Sequence, residues 1–247
     1  MKISIITATY NSSYTVRDTL ECIQNQTYNN IEHIIVDGLS NDGTIDIIRS
    51  YPHVATIISE KDSGIYDAMN KGVALASGDI IGILNSDDIY ISNNVLETIV
   101  NSFCFYTNVD IIYGDLVYVN LESDERVIRK WKSIDYYPSF FEDGNIPPHP
   151  CLFLRASVYK VAGNFNVSFK LAADYEFMLR IFKKFNFNSL HLDEVFVIMR
   201  LGGATNKSFL NVIRQNIEII RAWKSNNIVV PILLMPKRFI LRLKQFY

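Results

Sequence analysis

The sequence predicts an α/β protein built on a mostly parallel, doubly wound sheet, and three observations lead to this class. Short runs of aliphatic and β-branched residues alternate with segments of helical spacing through the first half of the 247-residue chain. The fourth run, "DIIGIL" at 79–84, is apolar on both faces, as expected for a central strand of a parallel sheet. Polar or acidic residues follow all four runs, and ligands of open α/β sheets bind beyond the carboxyl ends of the strands.

Each element of the first half is assigned from its periodicity and its boundary residues. Val16, Leu20 and Ile23 recur at helical spacing after the first strand, and Gly78 stops the third helix. The segment "TIDIIRS" between the second and third strands is assigned as a short helix. The predicted strands of this half are 3–8, 31–37, 55–60 and 79–84.

The second half is less regular, and no internal repeat or flexible linker separates it from the first. Its predicted strands are 110–119, 126–131, 194–200 and one that begins at His149 and leads into a turn or short helix by 159. Its predicted helices are 172–185 and the amphipathic segment 208–223. We therefore expect one continuous α/β unit followed by C-terminal helices.

Composition limits the possible partners and the cellular compartment. The formal net charge of −2 argues against a nucleic-acid-binding protein, which usually carries a basic excess. Three cysteines without C-x-x-C spacing favour a reducing compartment. A strand begins directly after Lys2, so no signal peptide is expected, and no apolar window reaches the roughly 20 residues of a membrane span. The expected location is cytoplasmic.

Adjacent acids at the end of the fourth strand are the feature most suggestive of chemistry. Asp87 and Asp88 repel each other, and their partner could be water, a basic side chain or a divalent metal. Oxygen ligands favour Mg²⁺ or Mn²⁺, which complete their coordination with phosphate oxygens and water. The sequence has neither G-x-G-x-x-G after the first strand nor G-x-x-x-x-G-K-[ST]. This absence disfavours a dinucleotide-dependent dehydrogenase and a P-loop NTPase.

Four motifs together resemble the nucleotide-binding half of family 2 glycosyltransferases with the GT-A fold. They are "SIITATYN", "HIIVDGLSNDGT", "EKDSGIYDAMNKG" and "GDIIGILNSDD". The third and fourth are similar to those of bacterial enzymes that build O-antigen and other surface polysaccharides. The resemblance implies a nucleotide-sugar half at 1–118, an acceptor half at 119–205 and a C-terminal helical segment at 206–247.

The resemblance also implies roles for residues at the strand ends. Tyr10, with the backbone around Ala8 and its neighbour Thr7, would pack against the nucleotide base. Asp37 would accept a hydrogen bond from a uracil ring, and Asp62 would lie beside the base or the ribose. A nucleotide-sugar donor, UDP-linked in this family pattern, is the expected ligand.

The segment from Asn85 to Asp88 occupies the place of the family's D-x-D element. Because Asn85 replaces the leading acid, metal binding would fall to Asp88 as the direct ligand, with Asp87 holding sugar hydroxyls or the metal's other ligands. Lys71 would touch the diphosphate, or else is an ordinary solvated lysine of a helix.

For the acceptor side, the resemblance implies a catalytic base at Asp174, with Ala173 where relatives often carry a second acid. An acid at the start of a helix is also favoured by the helix dipole alone. Glu176 is the alternate base, and His149 matches a position beside the acceptor cleft, although it could be purely structural. Gly202-Gly203 resembles a mobile loop that closes over the donor. A single carboxylate base implies one displacement with inversion.

The C-terminal segment is basic and apolar. No acid follows Glu218, and the run 228–235 is too short to span a bilayer. The pattern indicates either an interfacial segment on an anionic membrane, suited to a polyprenyl-diphosphate-linked saccharide acceptor, or a helix that docks on the core or forms a dimer contact.

The leading hypothesis is an inverting, metal-dependent glycosyltransferase of polysaccharide or O-antigen biosynthesis, peripheral on the inner face of the cytoplasmic membrane. A catalytically silent nucleotide-sugar binding module is the alternative, which Asn85 and Ala173 leave open. A nucleotidyltransferase is a third interpretation, disfavoured because "TATYN" is not a Gly- and Lys-rich phosphate loop.

Overall fold

The computed structural model describes residues 1–120, 123–200 and 209–245, and within these ranges it contains nine strands and eight α-helices. The strands are β1 Ile3–Thr9, β2 Ile31–Asp37, β3 Val54–Ser59, β4 Ile80–Ile83, β5 Asp88–Tyr90, β6 Ile111–Asn120, β7 Ser123–Trp131, β8 Leu152–Arg155 and β9 Ser189–Arg200. The helices are α1 Val16–Gln24, α2 Thr44–Arg49, α3 Ile65–Leu75, α4 Val95–Phe105, α5 Ala156–Ala162, α6 Ala173–Leu179, α7 Phe209–Ser225 and α8 Leu234–Lys244. A π-helical segment, Arg180–Lys184, continues α6.

All nine strands belong to one sheet. Its order is β3-β2-β1-β4-β8-β6-β9-β5, and β7 adds to β6 outside this path. The four strands of the first half pair in parallel, so the carboxyl ends of β1 to β4 lie at one edge. Strand β8 runs antiparallel between β4 and β6 and joins the two halves into one surface. The expected α/β class is confirmed.

Helices cover both faces of the sheet because its central strands are apolar on both sides. Ile5 and Ile6 are both fully buried, yet Ile5 packs with α4 on one face and Ile6 packs with α3 on the other. A pair of apolar faces on one strand requires a layer of helices on each side. The sheet is therefore doubly wound, and its polar edge is left as the place for a ligand.

Two elements, β5 and α4, lie where no element is assigned from the sequence, and a third, α8, lies within the C-terminal helical segment predicted without separate bounds. Strand β5 has only three residues, too few for a periodic signal, and it forms because β9 pairs with it. Helix α4 carries Leu96, Ile99 and Phe103 at helical spacing, a pattern that the assignment above omits. Helix α8 is expected only as an interfacial or docked segment without defined bounds. Strand β9 also starts earlier than predicted, at Ser189.

Helix α8 docks on the core. Leu234 is buried, and Lys237 forms an ion pair of 2.8 Å with Asp143. Gly144 lies so close to the helix that a Cβ there would be 2.8 Å from the backbone nitrogen of Arg238. Docking of the C-terminal segment is therefore what the structure shows. It leaves exposed a set of apolar side chains: Val229, Ile232, Leu233, Phe239, Ile240 and Leu243.

Gly144→Ala should loosen this docking. Gly144 has φ +89°, where an L-residue costs about 2 kcal/mol, and the added methyl group must also push α8 away. Gly43→Ala is a matched control, because Gly43 has the same φ of +89° but no atom lies within 4 Å of the point that its Cβ would occupy. We expect Gly144→Ala to lower the free energy of unfolding clearly more than Gly43→Ala in urea titrations. Equal losses would contradict the close approach of α8.

Among the described residues, no helix is both long and apolar enough to cross a bilayer.

Candidate active site

A cavity of about 1260 Å³ opens at the carboxyl-end edge of the sheet and receives side chains from both halves of the chain. The first half contributes the residues after β1, the start of α3 and the turn after β4. The second half contributes β7, the segment before β8, α6 and α8. Six of the residues predicted for the site line this cavity, namely Ala8, Tyr10, Asp62, Asp87, His149 and Asp174.

Tyr10 and Asp62 both line the cavity and lie close to each other. Tyr10 is largely exposed, and Asp62 is held by a hydrogen bond of 2.9 Å from the backbone N–H of Gly64 to its Oδ1. Gly38 lies between them, since a Cβ on Gly38 would be 2.6 Å from Asp62 Oδ2 and 3.3 Å from the ring of Tyr10. A side chain at position 38 would therefore close the space between these two residues.

Of the two adjacent acids after β4, one lines the cavity and the other is buried below its wall. Asp87 lines the cavity, whereas Asp88 is fully buried, begins β5 and is not a lining residue. The side-chain amide of Asn85 donates a hydrogen bond of 2.9 Å to Asp88 Oδ2. Ser86 joins the turn to the end of β1 through a 2.8 Å hydrogen bond with Ser12. The structure thus places Asp87, and not Asp88, on the wall of the cavity, and the role of Asp88 as the direct metal ligand stays a prediction.

Electrostatics at this turn favour a positive partner. Burial raises the pKa of Asp87, and burial together with the charge of Asp87 raises the pKa of Asp88 well above its usual range. Arg200, at the end of β9, opposes both shifts and forms an ion pair of 2.7 Å with Asp18. Pairing of β5 with β9 places Asp88 opposite Met199 and so brings Arg200 to the acids. A basic side chain, one of the three partners considered from the sequence, is thus present.

Asp174 faces the same cavity from the start of α6. Its Oδ1 accepts a hydrogen bond of 3.0 Å from the hydroxyl of Tyr66 and one of 2.8 Å from the backbone N–H of Tyr175. Tyr66 belongs to α3 of the first half, and its pKa is raised well above the usual range by burial and by the charge of Asp174. Tyr66 therefore stays protonated and orients the carboxylate across the junction of the two halves.

Glu218 of α7 holds the backbone segment that leads into α6. Its carboxylate accepts hydrogen bonds of 2.8–2.9 Å from the backbone N–H groups of Lys170, Leu171 and Ala172, immediately before α6. Such charge-assisted bonds are stronger than neutral ones. Because these three residues lead into the helix that carries Asp174, α7 fixes where the carboxylate enters the cavity.

His149 lies half-buried on the cavity wall near Asp174. Its ring makes an edge contact with Phe165, with 5.5 Å between ring centroids. Burial lowers the pKa of His149, although the charge of Asp174 opposes this shift. His149 is therefore neutral near pH 7 and can donate or accept one hydrogen bond at the acceptor side.

Two predicted nucleotide contacts are not at the cavity. Thr7 is fully buried, and its hydroxyl shares a 3.0 Å hydrogen bond with His33, because alternate residues of β1 point to opposite faces. Asp37 is also buried, and its carboxylate accepts hydrogen bonds from Ser40 and Ser59. Neither residue lines the cavity. Asp37 instead holds the loop that follows β2 in place.

Two further residues predicted for the site, Lys71 and Glu176, do not line the cavity. Lys71 is expected to touch the diphosphate, but it pairs with Glu60 at 2.8 Å and does not line the cavity. Glu176 is the alternate base, but it is buried and neutralised by an ion pair of 3.0 Å with Arg180, and Asn226 donates a further hydrogen bond to it. A helix places residues 174 and 176 on different sides, so only Asp174 reaches the cavity. The loop at Gly202-Gly203 lies outside the described residues.

Several lining residues are absent from the sequence-based prediction. The described residues of the cavity include three acids and eight basic residues, namely Arg129, Lys130, Lys132, Lys170, Arg200, Arg238, Arg242 and Lys244. The C-terminal excess of basic residues is visible in the sequence, but its position over the cavity depends on long-range packing of α8. Tyr66 lies within the motif "EKDSGIYDAMNKG", but its contact with Asp174 is visible only in the folded chain.

The oxygen atoms at the turn after β4 fit a hard divalent cation. Asp87 offers a carboxylate to the cavity, and Asn85, which also lines the cavity, has a side-chain oxygen without a hydrogen-bond partner. Among the described residues, no group of three or more His, Cys, Asp or Glu side chains could hold a metal by itself. Such a donor set suits Mg²⁺ or Mn²⁺, which usually takes one or two carboxylates and completes its coordination with substrate phosphate.

Comparison with known proteins defines the class. Residues 4–161 match the model of glycosyl transferase family 2, and the chain belongs to this family. An uncharacterized glycosyltransferase of Mycobacterium tuberculosis is 30% identical over 181 residues, which cover 72% of this chain and 68% of that protein. The protein is therefore a glycosyltransferase.

Solved structures show the same GT-A fold. Residues 1–349 of TarS from S. aureus in complex with UDP superpose with a TM-score of 0.71 at 19% identity, covering 98% of this chain and 70% of that one. The mannosyltransferase PcManGT from Pyrobaculum calidifontis in complex with GDP-Man and Mn²⁺ superposes with a TM-score of 0.64 at 17% identity, covering 97% of this chain and 73% of that one. At these identities the likeness concerns the fold.

Proposed function

We propose that this glycosyltransferase moves a sugar from a UDP-sugar to a hydroxyl group of a lipid-linked saccharide, with inversion at the anomeric carbon. The observation that carries this proposal is the presence of Asp87 and Asp174 in one cavity. One acid comes from the turn after β4 and the other from α6, so the two halves of the chain bring a cation-binding group and a base to the same space. The units 1–118, 119–205 and 206–247 would supply the donor side, the acceptor side and the covering helices.

The proposed reaction is a single displacement. Asp174 takes the proton of the acceptor hydroxyl as its oxygen attacks the anomeric carbon, and the new glycosidic bond forms as the bond to the diphosphate breaks. The electron pair leaves with the nucleoside diphosphate. Tyr66 holds Oδ1 of Asp174 through its 3.0 Å hydrogen bond, so the second oxygen is left for the acceptor. One nucleophile acting on one face inverts the configuration.

The donor would bind at the first half. Tyr10 would stack on the base, Asp62 would bond the base or the ribose, and Ala8 would let the backbone approach. Asp87 would hold a Mn²⁺ or Mg²⁺ ion, which neutralises the diphosphate charge when bound. The UDP complex of TarS and the Mn²⁺ complex of PcManGT support this choice of donor and metal.

The acceptor would reach the cavity from a membrane surface, on the cytoplasmic side. Ile232 is 97% exposed and Val229 is 87% exposed, and both lie just before α8, where basic residues follow. Exposed apolar side chains beside basic ones are typical of segments that rest in the interface of an anionic bilayer. His149 would contact the incoming saccharide beside Asp174. Transfer of a sugar to such a lipid-linked saccharide would give the enzyme a role in the synthesis of surface polysaccharide or O-antigen.

The test is donor turnover with a panel of UDP-, GDP- and dTDP-sugars in Mn²⁺, in Mg²⁺ and with excess EDTA. We expect slow release of sugar from one or more UDP-sugars in the presence of metal, and a loss of at least about tenfold with EDTA. Restoration of turnover by added Mn²⁺ is the control for damage by the chelator. Donor binding without any product would instead identify a silent nucleotide-sugar binding module. Equal turnover with and without metal would show that the reaction does not depend on a divalent cation, and the proposed metal site at Asp87 would be wrong.

A further inference from the structure

Basic side chains from two distant parts of the chain meet over one end of the cavity. Strand β7 supplies Arg129 and Lys130, and α8 supplies Arg238, Arg242 and Lys244. We refer to these five residues as the β7–α8 cation cluster. The three acids that line the cavity come from other elements. A chain of net charge −2 thus concentrates positive charge at one place, which is the usual signature of a site for an anion.

The cluster is built into the fold. The side-chain oxygen of Gln245, directly after α8, accepts a hydrogen bond of 2.7 Å from Nε of Arg129, and the backbone N–H of Lys130 donates one of 3.0 Å to the carbonyl of Gln245. Arg129 is only 7% exposed, and its guanidinium stacks 4.5 Å from the ring centre of Tyr118. The end of α8 is thereby tied to β7, and residues of both elements line the cavity.

A bound anion would reduce the repulsion between the positive charges of the cluster. Burial lowers the pKa of Arg129, and the positive charge of Arg242 lowers it further, so two guanidinium groups lie close enough to repel each other. Nη1 of Arg238 is buried without a hydrogen-bond partner, while the same guanidinium stacks on Tyr175 at 4.7 Å. A phosphate group would supply both the missing acceptor atoms and the negative charge.

The cluster lies at a distance from the acids that would hold the donor's metal. Across the sheet, Asp88 of β5 pairs with Met199, Met199 pairs with Tyr118, and Tyr118 pairs with Arg129. Three strand spacings separate the backbones of Asp88 and Arg129 by about 14 Å. The backbone of β7 is thus separated from the turn that carries Asp87, and we assign the cluster to a second phosphate group rather than to the diphosphate of the donor.

We propose that the β7–α8 cation cluster binds a phosphate or diphosphate group of the acceptor, which enters with its lipid chain on the membrane side. This inference rests on the proposed function and names the chemical class of its acceptor. Apolar residues of α8 on the outside of the cluster, Ile240 and Leu243, are about half exposed. They would meet the bilayer while the basic residues hold the phosphate at its surface and the saccharide extends towards Asp174.

The test measures binding of farnesyl diphosphate, a short prenyl diphosphate, to protein already saturated with UDP and Mn²⁺. Arg242→Gln and Lys244→Gln are the main variants, because both side chains are exposed and their loss should leave the fold intact. We expect each to weaken farnesyl diphosphate binding about tenfold, as for the loss of one charge-assisted hydrogen bond. The Kd of UDP should stay within about twofold of wild type. Farnesol should bind weakly to all forms.

Lys160→Gln is the matched control, since Lys160 is exposed on α5 outside the cavity and the net charge change is the same. If Lys160→Gln weakens farnesyl diphosphate binding to a similar extent, the effect comes from the overall charge of the protein and not from the cluster, and the inference fails.

Weakened UDP binding in the Arg242 and Lys244 variants would assign the cluster to the donor. Loss of binding to phosphatidylglycerol vesicles without loss of farnesyl diphosphate binding would assign it to a lipid headgroup. If UDP binds wild type but farnesyl diphosphate does not, this inference fails while the proposed function stands; if UDP does not bind, the proposed function itself fails.

Discussion

Asp174→Asn should lower the rate of sugar transfer about 10³-fold while leaving the Kd of UDP within about twofold of wild type. The amide oxygen of asparagine can still accept the hydrogen bonds from Tyr66 and from the backbone of Tyr175, so the side chain keeps its place. What it loses is the ability to take a proton from the acceptor hydroxyl. The measurement is a single-turnover transfer assay beside a UDP titration.

Asp46→Asn serves as the control for this substitution, because Asp46 is an exposed acid of α2 that does not line the cavity. It should transfer sugar at the wild-type rate. If Asp174→Asn retains more than about a tenth of the activity, Asp174 is not the general base. If UDP binding is lost as well, the carboxylate supports the donor site and its role must be reassigned.

Asp87→Asn should weaken Mn²⁺-dependent UDP binding about 100-fold, and Asp88→Asn should weaken it far less. Asp87 is the acid that lines the cavity, so its charge is the one a bound cation would meet. A loss of 100-fold corresponds to about 2.7 kcal/mol, within the several kcal/mol that a metal ion contributes at a phosphate. In EDTA the UDP affinities of wild type and Asp87→Asn should converge.

The comparison between the two neighbouring acids provides its own control. Both variants replace one of two neighbouring carboxyl groups by an amide, but Asp88 is buried under the cavity and bonded to Asn85. A stronger effect at Asp88 would restore the prediction made from the sequence, in which Asp88 is the direct ligand. Equal, small effects at both positions would mean that the turn holds no metal.

Sequence patterns predicted the edge of the sheet but not the direction of each side chain along it. Residues after β1, β3 and β4 do line the cavity, as the rule for parallel sheets requires. Thr7 and Asp37 are instead buried and do not line the cavity, because successive side chains of a strand point to opposite faces of the sheet and a shift of one position changes the face. Lys71 does not line the cavity and forms an ion pair with Glu60, on the preceding loop.

The acceptor side was less predictable because it is assembled from distant segments. Asp174 is predicted by resemblance, yet its hydrogen-bond partner Tyr66 lies 108 positions away, and Glu218, which holds the backbone before α6, lies 44 positions away. Helix α8 also depends on distant residues: it docks against Gly144 and pairs with Asp143, and this docking brings its basic residues to the cavity. Local periodicity contains no information about such contacts, and only the packed structure shows them.

The three backbone bonds that Glu218 accepts before α6 bear on how such enzymes can be recombined. A chimera joined between β9 and α7 would keep Asp174 from one parent and take its support from another. Trp223 of α7 likewise donates a hydrogen bond of 2.8 Å to the hydroxyl of Tyr175. A transplant of acceptor specificity between relatives should therefore move α6 and α7 together, with the crossover placed upstream of Lys170, so that the base and the residues that set its position share one ancestry.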